Sequence, residues 1–340
     1  MKLFIYEHIT SGALINQPLP ESLVREGNDM LLALIADFSQ LTSIELIILR
    51  DTRLEAIAYI QNNLIHQYHI IDSDLSFQEH YNNAIDIADY ILPIAPETDG
   101  TLSSIQQTIL DKGKQLLGCH PESSALVSDK YHCYQILKKN KLLSPKTILA
   151  SEWSLIGFPS PSGYIIKPRD GAGCIDTLLF TDQTKLSLWL GNQVTDLTRF
   201  LIQPYIVGTA ISLSVLYSKQ DCLVLAINKQ HIDNSQPAIR FSGCTVNGID
   251  ESQFSPTQAT ILAKKIQDAI PKLWGFVGID LILTDNGAWI VDINPRLTTS
   301  YIGLHHSLQL NPAQLLLTMM NTTLSDLPKI TQRHPIEVLV

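Results

Sequence analysis

The sequence predicts an α/β protein built in two or three parts, and three features carry that prediction. Apolar runs of strand length alternate with amphipathic helical stretches through roughly the first 118 residues. From about residue 145 strand signals dominate and follow one another as hairpins. Near the end, an apolar hairpin carries acids where its pattern implies burial. A chain of 340 residues is also too long for one ordinary core.

The elements follow in order. KLFIY (2–6) is a strand, and ESLVREGNDMLLALIADFSQ (21–40) has helical spacing. IELIILR (44–50) reads as a strand and RLEAIAYIQNNL (53–64) as a helix. YHIID (68–72) and DYILPIAP (89–96) are strand-like; FQEHYNNAIDIA (77–88) and DGTLSSIQQTILDKG (99–113) are helical. Alternation of this kind gives a parallel sheet covered on both faces, with ligands beyond the carboxyl ends of its strands. The polar stretches EHITSG (Glu7 to Gly12) and APETDG (Ala95 to Gly100) are therefore site candidates, although neither is a GxGxxG loop. Ser128 is the expected N-cap of a helix from Asp129 to about Asn140. Then come the strands GYIIKP, DTLLF, RFLIQPYIVG, AISLSVLY and CLVLAINKQ, the helix ATILAKKIQDAIPKL, and two strands joined at Asn286-Gly287.

Composition narrows the function classes. The chain is 45% hydrophobic and 17% charged, with no low-complexity tract. A net charge of -9 argues against nucleic acid as the main partner, since phosphate neutralisation needs a basic face. No segment reads as membrane-spanning: the most apolar stretch is broken by Asp37 and Glu45. The first residues lack the long apolar run of a signal peptide, so the cytoplasm is the expected compartment. The five cysteines are scattered and form no CxxC pair, which supports neither a disulfide framework nor a zinc site.

The chemistry concentrates in GIDLILTDNGAWIVDINP. Asp280 lies on its first strand and Asp292 on its second, with Asn294 two residues on and facing the same side. A turn centred on Asn286-Gly287 brings Asp280 close to opposite Asp292. Two buried acids repel one another unless a cation offsets them. Hard oxygen ligands of this type suit Mg²⁺ or Mn²⁺. The plainer alternative is a pair of solvated acids at strand ends. In YIIKPRDGAGC, Lys167 follows an apolar strand and the glycines of the following turn let backbone N–H groups approach a phosphate. Lys130 is a second candidate cation. In LIQPYIVG, Gln203 and Tyr205 interrupt a strand that leads to Gly208, and such a segment can pair with an adenine edge.

In that order, over residues of about 119 to 325, these pieces resemble the ATP-grasp family of carboxylate–amine ligases. The resemblance implies two α+β subdomains gripping ATP, preceded by a parallel-sheet α/β domain. Its implied divisions are 1–118, 119–207 for the lid subdomain and 208–340 for the subdomain with the metal site. It implies that Lys130 and Lys167 contact ATP phosphates and that Gly171 and Gly173 form the lid over them. Gln203, Tyr205 and Ile206 would hold adenine, and Asp280, Asp292 and Asn294 would hold Mg²⁺. Arg296 would face the transferred phosphate or acyl group. The chain departs from the family pattern in three places: Gln203 stands for the usual hinge acid, Ala210 for the acid after the hinge glycine, and Gly278 for an arginine. Arg296, Arg169 and Arg240 are the alternatives for that missing charge.

EHITSG, ESLVREGNDMLLALIADF, RFSGCTVNGI and VDINPRLTTSYIGL are together similar to the tyramine–glutamate ligases of methanofuran biosynthesis and their bacterial relatives. In methylotrophs the related cofactor, methylofuran, carries tyrosine in place of tyramine. The resemblance implies ATP-dependent, ADP-forming amide synthesis through an acyl-phosphate, with small-molecule amino acid and amine substrates. Glu7, Arg240, Thr298, Thr299 and Ser300 are the candidate substrate residues, and a homodimer is allowed. Two other readings stand beside it: a D-alanine–D-alanine-like or other amino-acid ligase, and a nucleotide-binding regulator without catalysis.

Overall fold

A computed structural model describes residues 1–58, 65–171, 173–193 and 196–340. The first unit is a parallel sheet of β1 (Lys2–Glu7), β2 (Glu45–Asp51), β3 (Gln67–Ile71), β4 (Tyr90–Ile94) and β5 (Gln115–Leu116), in the order β3-β2-β1-β4-β5. Helices α1 (Glu21–Ser39), α2 (Asp74–Ile87) and α3 (Thr101–Asp111) connect them. Apolar residues spaced three and four apart explain α1, whose Met30, Leu31, Leu34, Ile35 and Phe38 are all buried. Half of the helix expected over 53–64 lies outside the described residues; 53–57 are turn and coil.

Two helices follow, α4 (Pro121–Ser128) and α5 (Lys130–Lys139). Here the expected N-cap is corrected. Ser128 ends α4, its hydroxyl donating to the Ser124 carbonyl at 2.6 Å. Asp129 is the cap of α5, accepting from the N–H groups of Tyr131 and His132 at 3.1 Å each. An aspartate, whose carboxylate accepts several hydrogen bonds at once, wins this position once the serine is consumed by the preceding turn.

The middle unit is an antiparallel sheet in the order β6-β9-β7-β8, from β6 (Ile148–Leu149), β7 (Tyr164–Pro168), β8 (Leu178–Phe180) and β9 (Phe200–Pro204). Helix α6 (Trp153–Ile156) and helix α7 (Gln183–Gly191) pack on it through Trp153 and Leu186. The last unit is a six-stranded antiparallel sheet in the order β14-β13-β10-β11-β12-β15. It comprises β10 (Thr209–Tyr217), β11 (Cys222–Asp233), β12 (Arg240–Val246), β13 (Gly275–Thr284), β14 (Gly287–Asn294) and β15 (Ile336–Leu339). Helix α8 (Pro256–Ala269) covers one face, and α9 (Tyr301–Leu308) and α10 (Pro312–Asn321) cover the other and meet α1. No helix among the described residues is long and apolar enough to cross a membrane.

Close packing of β15 on β12 depends on one glycine. Gly243 has φ +129°, and a Cβ there would lie 2.1 Å from the Val338 carbonyl oxygen. Gly243→Ala is therefore expected to lower stability by about 2 kcal/mol or more, read as a drop in the denaturant midpoint.

Candidate active site

The hairpin of β13 and β14 builds the floor of the site. Its register places Asp280 directly opposite Asp292 and Gly278 opposite Asn294, with a bulge after Asp280. Asn294 Nδ2 donates to Asp280 Oδ2 at 3.0 Å, and Gln230 Nε2 of β11 donates to Asp280 Oδ1 at 2.8 Å. Lys130, the first residue of α5, reaches across to Asp292 Oδ2 at 2.7 Å. Lys167, on β7, donates to the Val291 carbonyl at 2.9 Å.

Burial and the charge of Asp292 push the Asp280 carboxyl up to about 6, against the pull of Asn294, Lys130 and Gln230. Burial also raises Asp292, but the positive charges of Lys130 and Lys167 outweigh it and hold its carboxyl below the usual range. For Lys167 burial dominates and, with Lys130 beside it, lowers the ammonium. Asp292 thus has a fixed cation and Asp280 has only amide donors. Two carboxylates and one amide, facing each other across a hairpin, are the hard oxygen set that Mg²⁺ accepts, and this set fits the ion.

These residues open onto a cleft of about 420 Å³. Lys130, Lys167, Gly171, Gly173, Gln203, Tyr205, Ile206, Asp280, Asp292, Asn294, Arg296, Thr298, Thr299 and Ser300 all line it. The fold thus brings together predicted site residues as far apart in sequence as Lys130 and Ser300. Gly173 takes φ +66°, the conformation the loop needs, and Ala172 lies outside the described residues. Gly208 is required for closeness: a Cβ there would lie 2.4 Å from the Leu283 carbonyl oxygen. Gln203 is turned inward, its amide donating to Thr147 Oγ1 at 2.8 Å, and the Tyr205 N–H donates to Gly163. The backbone N–H of Tyr205 is therefore occupied.

Two expected substrate residues lie elsewhere. Glu7 does not line the cleft; it is 3% exposed and accepts from the N–H groups of Ile9 and Thr10, at 3.2 and 2.7 Å. Its carboxylate fills the space over Gly27, where a Cβ would approach within 2.6 Å. The acid thus closes the loop after β1 instead of facing a ligand. Arg240 is exposed at the start of β12, opposite Asp233, and also lies off the cleft. Of the arginines considered for the charge missing at 278, Arg169 is clamped on Asp129 at 2.8 and 2.6 Å. Arg296 alone of the three lines the cleft. A side chain at 278 is excluded, because a Cβ there would meet Thr298 Cγ2 at 2.5 Å.

Sequence reasoning missed several participants. Glu97, on the APETDG loop, holds Arg296 through Nε at 2.9 Å and Nη2 at 3.2 Å. Gln230 and Glu26 also line the cleft. Beneath the loop of Thr298 to Ser300, Ser214 Oγ lies 2.8 Å from Ser300 Oγ, and the wholly buried Asn228 donates to Ser212 and Ser214 at 3.1 and 3.0 Å. The signal for Glu97 was its flagged polar loop after a strand; nothing local marks Glu26 or Asn228.

A parallel α/β unit, an antiparallel unit and a second sheet with paired acids over a lysine-lined cleft have the expected architecture. The chain belongs to the ATP-grasp family: the ATP-grasp domain matches residues 127–300, and the pre ATP-grasp 3 domain matches 44–123. It is 27% identical to the tyramine–L-glutamate ligase of Methanocaldococcus fervens over 286 residues, 84% of each chain. It is 31% identical to the tyramine–L-glutamate ligase of Methanocaldococcus jannaschii over 216 residues, 64% of this chain and 58% of that one. The crystal structure of an ATP-grasp superfamily protein from Archaeoglobus fulgidus superposes with a TM-score of 0.71 at 21% identity, covering 98% of this chain and 91% of that one. Together these place the chain among the ATP-grasp carboxylate–amine ligases.

The Arg296–Glu97 pair is 10% and 3% exposed. Glu97→Ala strands a buried guanidinium, so a loss of about 3–5 kcal/mol is expected in chemical denaturation. Glu97→Gln, which keeps one acceptor, loses less.

Proposed function

We propose that the protein joins the γ-carboxylate of glutamate to an aromatic amine, tyramine or a close relative such as tyrosine, at the expense of ATP, in the assembly of a methanofuran-type cofactor. The observation that carries this reading is one cleft holding a paired-acid edge, three lysines (Lys130, Lys167 and Lys229) and, four to six residues past Asn294, a hydroxyl-bearing loop. The names of the relatives supply the substrates.

Lys130 and Lys167 take the phosphates of ATP, with Gly171 and Gly173 above them and Gln203 to Ile206 against the adenine. Asp280, Asp292 and Asn294 would hold Mg²⁺, which offsets phosphate charge. An oxygen of the glutamate γ-carboxylate attacks the γ-phosphorus, and the bond to the bridging oxygen breaks with ADP leaving. The amine nitrogen then attacks the acyl carbon, the carbon–oxygen bond to phosphate breaks, and amide and inorganic phosphate result. Arg296, held rigid by Glu97, faces the transferred phosphoryl group. The protein's work is positioning and charge neutralisation, since phosphoryl transfer needs little covalent help. A covered glycine loop keeps water from the acyl-phosphate.

Purified protein with ATP, Mg²⁺, glutamate and tyramine or tyrosine is expected to release ADP and yield a glutamyl amide visible by mass spectrometry. Asp292→Asn is expected to slow that turnover by about 100-fold or more, the scale of a lost metal ligand. Near-normal turnover in Asp292→Asn would overturn the metal assignment, and amide formation with D-alanine pairs alone would overturn the substrates.

A further inference from the structure

A buried amide stands in the middle of the last sheet, and no step of the ligase reading uses it. Asn228, on β11, is wholly buried. A group that can only donate fixes which way its amide points: the backbone N–H of Asn247, just past β12, bonds Asn228 Oδ1 at 3.3 Å. The two hydrogens on Nδ2 therefore go the other way, to Ser212 Oγ at 3.1 Å and Ser214 Oγ at 3.0 Å.

A hydroxyl has one proton, and both serines accept from Asn228, so each places its own proton elsewhere. Ser214 places it on Ser300 Oγ, 2.8 Å away, its remaining partner among the described residues. Ser300 Oγ and Thr298 Oγ1 are 3.1 Å apart, and whichever donates to the other, one proton of that pair is left over. Both residues line the cleft. Ser300 precedes α9, yet its hydroxyl does not cap that helix. Ser212 also lines the cleft, is 8% exposed, and its proton meets no acceptor among the described residues. The amide thus turns two hydroxyl protons into the cleft, one directly and one relayed through Ser214.

The sheet register says what those protons face. Asp292, Asp280, Ser212 and Asn228 stand in one row across β14, β13, β10 and β11. Strands are about 4.8 Å apart, so Ser212 is one strand from Asp280 and two from Asp292. Lys130 bonds Asp292, and Lys167 bonds the Val291 carbonyl beside it, both at the far end of the row. Phosphates drawn to these lysines lie on one flank of the paired acids, and the hydroxyl protons lie on the other. Donors without a protein acceptor call for an oxygen acceptor, and a carboxylate accepts from two at once. Charge does not oppose it: three lysines and one arginine line the cleft against three carboxylates, with Glu97 behind the arginine.

We infer that Asn228 is a positioning residue that aims the protons of Ser212 and of the Thr298–Ser300 pair into the cleft, where these hydroxyls hold the carboxylate that is to be phosphorylated. The inference rests on the ligase reading above and deepens it, by placing the first substrate on the flank of Asp280 away from Lys130.

The test is calorimetric titration of the full chain loaded with Mg²⁺ and ADP, which needs no turnover. Glutamate is expected to bind at least about 10-fold more tightly than glutamine, whose carboxamide turns N–H groups toward the same protons. N228D keeps the shape and the Asn247 bond but offers the serines an acceptor, so their protons turn inward. It is expected to weaken glutamate about 10-fold or more and to shrink the preference over glutamine to about 2-fold. S212A removes one donor, leaves Asn228 in place, and is expected to weaken glutamate about 5- to 10-fold, with S212T recovering part of the loss. Affinity for ADP and for the γ-phosphate analogue AMP-PNP stays unchanged in all three. Unaltered glutamate affinity in S212A overturns the subsite whether or not N228D folds. A wild type without preference for glutamate, or a loss confined to AMP-PNP, which would assign the protons to phosphate, overturns it too. The two readings fail separately. Amide formation with unaltered glutamate binding in S212A and N228D removes only the subsite, whereas hydroxyl-dependent glutamate binding without ADP release removes only the ligase reading.

Discussion

Two buried carboxylates face each other across one hairpin, and the rest of the cleft is arranged around that repulsion. Asp280 and Asp292 sit in register on β13 and β14, so their separation is fixed by sheet geometry and cannot relax. Lys130 answers Asp292 from a helix 162 residues earlier. Gln230 and Asn294 answer Asp280 with amides alone. The asymmetry leaves one acid with its ordinary charge state secured and the other raised to about 6. A site so built is costly for the empty protein and favourable for a divalent ion and a polyphosphate.

The parallel-sheet unit is part of this site. Its APETDG loop sends Glu97 to Arg296, and α1 sends Glu26 to Thr299. Asp37, further along α1, binds the Tyr301 hydroxyl at 2.8 Å and pairs with His305, so α9 is tied to the same helix. The loop between Asn294 and α9 is thus held from three sides: by the hairpin before it, by Ser214 and Asn228 below it, and by α1. That loop bears Thr298, Thr299 and Ser300, and its rigidity comes from buried hydrogen bonds that are each satisfied.

Local patterns made much of this legible. Alternating apolar runs gave the parallel sheet, and Asn286-Gly287 placed the turn that sets Asp280 against Asp292. The helices α9 and α10 and the strands β12 and β15 were not read, because segments of four to ten residues carry weak periodicity. Ser128 was mistaken for a cap since a serine before a helix looks the same whether or not another helix ends on it. Glu7 and Arg240 looked like substrate groups because sequence shows charge but not direction.

Residue order carries what repeats within a few positions: strand and helix periods, the hairpin register, and the acid, amide and arginine on one face. Those depend on backbone geometry, which is local. Which distant groups meet them follows from how the units pack. Gly278 has no side chain because Thr298 occupies its place. Arg296 is neutralised because a loop 199 residues away ends beside it. Glu26 faces the cleft because α1 packs against α9 and α10. Electrostatics and close packing act through space, and the order of residues along the chain does not contain those distances.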